Sequence, residues 1–135
     1  MGHAIASGKA SRKQRGFTLV ELIVVMAIML TIISIAVPMY TTAMVRAKES
    51  VLQSNLFTIR SVIDQYTYDK ESPPQSLEDL VAEGYLRRVP VDPFTDSSDT
   101  WEIISDVGPS GESGVFDVKS GSDRVGLNGT AYAEW

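Results

Sequence analysis

The sequence has no cysteine, and its single histidine, His3, lies near the start of the chain. Without cysteine there can be no disulfide, no thiolate metal site and no cysteine nucleophile. Histidine is the commonest general base, and histidine and cysteine are the commonest protein ligands of zinc. These two shortages argue against an enzyme and against a transition-metal protein.

Charge is nearly absent from one long stretch, residues 17–40, where only Glu21 is charged at neutral pH. As an α-helix this stretch would be about 36 Å long, which is enough to cross a hydrocarbon core of about 30 Å. A carboxylate inside a membrane helix costs about 2–3 kcal/mol on insertion scales. Glu21 therefore requires a partner or a function.

Basic residues precede this apolar stretch, and acidic residues dominate the chain after it. Four of the 12 basic side chains, and none of the 17 acidic ones, lie in residues 1–16. Without that segment the side-chain charge is 8 positive against 17 negative, or −9. Such an acidic exterior argues against a nucleic-acid partner. The positive-inside rule predicts a cytoplasmic N-terminus and a translocated C-terminal part. The basic residues concerned are Lys9, Arg12, Lys13 and Arg15.

Two simpler interpretations of the N-terminal region need no partner for Glu21: a secretory signal peptide and a plain membrane anchor. A secretory signal peptide has an apolar region of about 7–15 residues before a small-residue cleavage site. The run here is longer, and Pro38 closely follows the candidate site Ser34-Ile35-Ala36. A plain uncleaved membrane anchor remains open on these features.

The apolar residues beyond Pro38 recur with helical spacing. From Leu52 onward they follow steps of 4, 3, 4 and 3, which gives a helix one apolar face. We therefore predict one helix from about Phe17 to Asp69, with a membrane half (17–40) and an amphipathic half (41–70). Ser72-Pro73-Pro74 is expected to stop it. The apolar positions are Leu52, Leu56, Ile59, Ile63 and Tyr66.

Residues 71–135 predict a small globular head. Ser76 and Asp79 are placed to cap a short helix from Leu77 to Glu83, with Gly84 after its end. Alternating residues at 101–105 and 115–118, separated by the turn-forming 108–111, predict a β-hairpin. The predicted class is α+β: a long N-terminal helix packed on a head with a short helix and an antiparallel hairpin or small sheet.

The segment Gly16-Phe17-Thr18-Leu19-Val20-Glu21-Leu22 resembles the processing signal of type IV pilins and type II secretion pseudopilins. The resemblance implies that prepilin peptidase removes residues 1–16 by cleaving after Gly16, and that the new N-terminal Phe17 is methylated. It also implies that Glu21 attracts the N-terminal amine of a neighbouring subunit in a filament. Pro38 matches a proline around which the helix loosens in such filaments.

The head is similar to that of the major pseudopilins of type II secretion systems. The matching elements are 84–86, 90–94, 114–118, 120–123 and Trp135. The resemblance implies a structural homopolymer subunit, not an enzyme, that helps move folded proteins across the outer membrane. Its expected partners are identical copies, minor pseudopilins and the inner-membrane assembly platform. It would span the inner membrane once, with a cytoplasmic N-terminus and a periplasmic head, before entering a periplasmic filament.

A loop near the C-terminus binds calcium in that family. Carried over, the ligands would be the Asp123 carboxylate, the Val118 and Ser120 carbonyl groups and the Asn128 side chain. The acidic pair that the family carries further along is replaced here by Gly126-Leu127-Asn128-Gly129-Thr130. The low charge count favours a closed loop without metal over a calcium site.

Three other functions remain as alternatives. The nearest is a type IV pilin for adhesion, motility or DNA uptake, and the absence of cysteine disfavours only those pilins whose C-terminal loop is closed by a disulfide. A second is a membrane-tethered binding module acting as a monomer. The third is a membrane-anchored hydrolase, although aspartates among serine and proline are typical of solvated loops. Its candidate carboxylates are Asp92, Asp96, Asp99 and Asp123.

Overall fold

A computed structural model describes residues 1–4, 8 and 15–135. Lys9, Arg12 and Lys13 of the predicted leader lie outside the described residues. The chain divides into two compact units, Met1–Met39 and Tyr40–Trp135. Within the described part the fold is α+β, as predicted. Its elements are α1 (Leu19–Lys70), α2 (Leu77–Ala82), β1 (Glu102–Val107), β2 (Ser113–Lys119) and a 3-10 turn (Tyr132–Glu134).

Helix α1 is continuous from Leu19 to Lys70, with Pro38 inside it. It begins two residues later and ends one residue later than the sequence predicted. Its end is marked by Glu71, whose φ of +56° is left-handed and cannot continue a right-handed helix. The stop therefore comes immediately before the predicted Ser72-Pro73-Pro74.

The amphipathic half of α1 supplies one side of the hydrophobic core. Leu52, Leu56, Ile59 and Ile63 are at most 2% exposed, which confirms the predicted apolar face. Burying a side chain of this size stabilises a fold by about 1.5–3 kcal/mol. The rest of the core comes from Leu77, Leu80, Trp101, Val115, Val118 and Tyr132.

Helix α2 has the predicted capping box. The Ser76 side chain accepts from the Asp79 N–H at 3.3 Å, and the Asp79 carboxylate accepts from the Ser76 N–H at 3.1 Å. Asp79 thus replaces the usual glutamate of this motif. The helix ends at Ala82, one residue earlier than predicted, and Gly84 follows with a φ of +82°.

Strands β1 and β2 form the predicted antiparallel hairpin, and both are longer than the sequence indicated. The register runs from Glu102 opposite Lys119 to Val107 opposite Ser113, with a bulge between Ile104 and Ser105. The hairpin lies against the chain that follows α1, because the Val115 N–H donates to the Pro74 carbonyl group at 2.7 Å.

Candidate processing and assembly site

Gly16 precedes helix α1 and lies in non-helical backbone. A methyl group added at this glycine would meet no atom within 4 Å, and its φ is not in the left-handed region. Neither packing nor backbone conformation therefore requires glycine here. Cleavage after Gly16 therefore stays a prediction.

Thr18 and Glu21 form a capping box at the start of α1. The Glu21 N–H donates to the Thr18 hydroxyl at 3.1 Å, and the Thr18 N–H donates to Glu21 Oε2 at 3.4 Å. The resemblance implied an intermolecular partner for Glu21, and this contact within its own helix was not predicted. The Thr-x-x-Glu spacing was the signal that could have found it. The position also suits a carboxylate, because a helix N-terminus carries partial positive charge.

The apolar part of α1 is exposed along its whole length. Every residue from 15 to 44 is exposed, and Phe17 retains 84% of its accessible surface. Among the described residues, α1 is the one helix long and apolar enough to cross a membrane, with a mean hydropathy of 2.7 in its most apolar window. Such a surface must be covered by lipid or by other apolar helices.

Polar side chains within this apolar stretch bond back to their own helix. The Thr31 hydroxyl donates to the Ala27 carbonyl group at 2.8 Å, and the Ser34 hydroxyl donates to the Thr31 carbonyl group at 2.7 Å. Pro38 follows one turn later and has no N–H to donate. The hydroxyl groups of Thr31 and Ser34 are therefore satisfied without a partner helix.

The four residues of the implied calcium loop have different surroundings. Val118 and Ser120 are buried, whereas Asp123 and Asn128 are exposed. The Val118 carbonyl group accepts from the Arg60 guanidinium at 2.9 Å. The Asn128 side-chain oxygen accepts from both the N–H and the hydroxyl of Thr130, at 3.0 and 2.7 Å.

Asp92 is one of the aspartates that a hydrolase would require, and it is completely buried. Its Oδ2 accepts from the Ser120 hydroxyl at 2.6 Å, and its Oδ1 accepts from the Phe94 N–H at 2.9 Å. These bonds tie the 90–94 segment to the loop after β2. In the described part of the chain, no group of three or more histidines or carboxylates could hold a metal ion. Asp92 is thus placed as a structural link between two loops.

Comparisons with known proteins find the same N-terminal motif and relatives over most of the chain. The prokaryotic N-terminal methylation motif matches residues 11–37. Type II secretion system core protein G of Escherichia coli (strain K12) is 30% identical over 133 residues, which cover 81% of this chain and 91% of that protein.

Two further relatives carry the same name. The protein from Klebsiella pneumoniae is 30% identical over 141 residues, covering 92% of this chain and 96% of its own length. The one from Pseudomonas aeruginosa (strain PAO1) is 32% identical over 99 residues, covering 62% and 70%. No solved structure matches the chain significantly.

Proposed function

Because the chain belongs to the type II secretion system core protein G family, we propose that it is a structural subunit of a secretion pseudopilus. It acts by assembling with copies of itself and performs no catalysis. The observation that carries this proposal is the exposed apolar helix beginning at Leu19, with a single carboxylate in its first turn. The polymer helps move folded proteins across the outer membrane.

Processing prepares the subunit for assembly. Prepilin peptidase cleaves after Gly16, and the amine of Phe17 becomes the methylated, cationic N-terminus. In the membrane the chain spans the inner bilayer once, with its N-terminus in the cytoplasm and its head in the periplasm. This orientation is supported by the basic residues before the apolar stretch.

Glu21 then guides the docking of a new subunit. Its Oε2 is held by the Thr18 N–H, which fixes the carboxylate near the helix start and leaves Oε1 to accept from a neighbour's Phe17 amine. An unpaired charge in a low-dielectric surrounding is strongly disfavoured, and a paired one much less so. The ion pair therefore fixes the axial register between subunits, while the apolar surface supplies the attraction.

The partners of this subunit follow from the same assembly. They are identical copies, the minor pseudopilins and the inner-membrane assembly platform, with prepilin peptidase as the processing enzyme. The alternative, a type IV pilin of an adhesion, motility or DNA-uptake filament, is compatible with the methylation motif. The relatives named for type II secretion favour the pseudopilus.

Intact-mass analysis tests the processing step. When the chain is co-expressed with prepilin peptidase, we expect a mature protein that begins at methylated Phe17. A Gly16→Ala variant should remain uncleaved at unchanged helix content, because nothing crowds this position. Recovery of the full leader on the wild-type chain in the presence of active peptidase would contradict the proposal.

Glu21→Gln tests assembly. The variant keeps the size of the side chain and removes its charge, so we expect the yield of sheared filaments and the secretion of cargo to fall at least about tenfold. Thr31→Val is the matched control, since it changes one polar group of the same apolar stretch without altering charge. If Glu21→Gln forms filaments at the normal yield, the proposed ion pair between Glu21 and a neighbour's Phe17 amine is contradicted. Normal filaments that support no secretion in a complemented strain would instead favour a type IV pilus.

A further inference from the structure

The C-terminal segment, residues 120–135, must be fastened to the rest of the head. It contains little regular structure: a bridge between Val125 and Ala131 and the turn Tyr132–Glu134. The resemblance to the major pseudopilins implies that calcium fastens this region. The contacts of this chain point to a different solution.

Arg60 provides a fixed positive charge at the base of the C-terminal segment. Its Nε donates to Asp117 Oδ1 at 2.6 Å, and its Nη2 donates to the main-chain oxygen atoms of Val118 at 2.9 Å and Trp135 at 2.6 Å. One guanidinium thus joins helix α1, strand β2 and the last residue of the segment. A carboxylate and main-chain oxygens are also the kind of ligands that a hard cation selects.

Glu49 provides a negative charge at a second point on the same helix. Its Oε1 accepts from the Leu127 N–H at 2.7 Å and from the Tyr132 hydroxyl at 2.9 Å. Glu49 and Arg60 are eleven residues apart, which is about three helical turns, so they lie on one face of α1. Between them they hold both the middle and the end of the segment.

The residues of the implied calcium site do not fit the ion. Calcium takes about 6–8 oxygen ligands, several of them carboxylates. Asp123 is the one carboxylate among the four candidates. The Val118 carbonyl group already faces a cation, and the Asn128 oxygen already accepts two hydrogen bonds from Thr130. A calcium ion bound at Val118 would have to lie beside the guanidinium and be repelled by it.

We propose that this head closes its C-terminal segment without calcium, with Arg60 as the built-in cation and Glu49 as the second point of attachment. The inference goes beyond the proposed function, since it concerns how the head is held together and does not depend on filament assembly.

The first experiment measures calcium binding directly. Isothermal titration of the mature, full-length chain in detergent with calcium chloride should give no binding heat, and its thermal midpoint should be the same in calcium and in EGTA. Saturable binding, or a midpoint that rises with calcium and falls with EGTA, would overturn the inference. Neither measurement relies on a variant that folds poorly.

The second experiment removes the built-in cation. Arg60→Gln should lower the thermal midpoint by about 5–10 °C, and Arg60→Lys should recover only part of it because lysine lacks the fork that reaches several acceptors. Arg87→Gln, at an exposed arginine, is the matched control and should leave the midpoint unchanged. An Arg60→Gln midpoint equal to that of Arg87→Gln would contradict the role of Arg60.

Discussion

Tyr132 is the largest fully buried side chain of the head, and it illustrates what a local pattern cannot reveal. Its ring stacks on Phe94 with centroids 4.0 Å apart, and its hydroxyl donates to Glu49, 83 positions earlier in the chain. Nothing in the spacing around either residue indicates the other, so the sequence predicted neither role. Burial, with the hydrogen bond to Glu49, raises the pKa of Tyr132 to about 12.

This pKa predicts a loss of stability at alkaline pH. Tyrosine in the unfolded chain has a pKa of about 10, so the folded head binds the phenolic proton more tightly than the unfolded chain does. The stabilisation is fully present below pH 10 and is lost as the pH rises from about 10 to 12. We expect the difference in thermal midpoint between the wild type and Tyr132→Phe to shrink over this window. A constant difference in thermal scans across those pH values would contradict this assignment.

Ion pairs alone account for little of the attachment at Arg60. The Arg60 and Asp117 side chains are 36% and 40% exposed, and pairs with such exposure typically contribute at most about 1 kcal/mol. The bond to the main-chain oxygen of Val118 contributes more, because Val118 is buried and a carbonyl group that loses its donor away from water is costly. The bond to the main-chain oxygen of Trp135 adds to it. The resemblance implied that the Val118 carbonyl group is a calcium ligand, whereas the cation it meets is the Arg60 guanidinium.

The helices and strands were predictable wherever local chemistry decides them. Helical spacing and a capping box predicted α1 and α2 to within two residues, because these signals act within one or two turns. The strand ends were predicted less well. Pairing across the hairpin, including the bulge at Ile104 and Ser105, extends β1 to Val107 and β2 to Lys119, and that pairing is set by the partner strand.

After β2, the chain passes close to the main chain of Thr100. Gly121 makes this approach possible because it has no side chain. A methyl group at Gly121 would overlap the main-chain oxygen of Thr100, whereas one at Gly108 would meet its nearest atom at an ordinary 3.4 Å. We expect Gly121→Ala to destabilise the head by about 1–3 kcal/mol and Gly108→Ala to be nearly neutral. Urea unfolding of both variants measures this, and equal midpoints would refute the steric argument.

The two units of the chain differ in where their apolar side chains lie. In Met1–Met39 the described apolar side chains are exposed, whereas all the described residues of the hydrophobic core lie in Tyr40–Trp135. The sequence separated these two characters by charge and periodicity alone. It could not reveal how the C-terminal segment is fastened, because that depends on side chains brought together from distant positions, such as Arg60 and Trp135.

A fragment beginning at Tyr40 should therefore fold without lipid. Since no described residue before Leu52 belongs to the core, we expect this fragment to be soluble and to unfold in one cooperative thermal transition, while the longer chain requires detergent. Circular dichroism in the near ultraviolet, where Trp101 and Tyr132 are buried, measures the tertiary packing. A fragment that dissolves but lacks that signal would contradict the independence of the head.

The spacing of Glu49 and Arg60 also restricts which insertions and deletions this part of the helix can tolerate. Deleting or inserting one residue between them would turn the second by about 100° around the helix axis, so that only one of the two could still reach its acceptors or donors. Point substitutions on the solvent side of this stretch leave that geometry untouched. We therefore expect the number of residues between Glu49 and Arg60 to tolerate far less change than the identity of the exposed side chains between them.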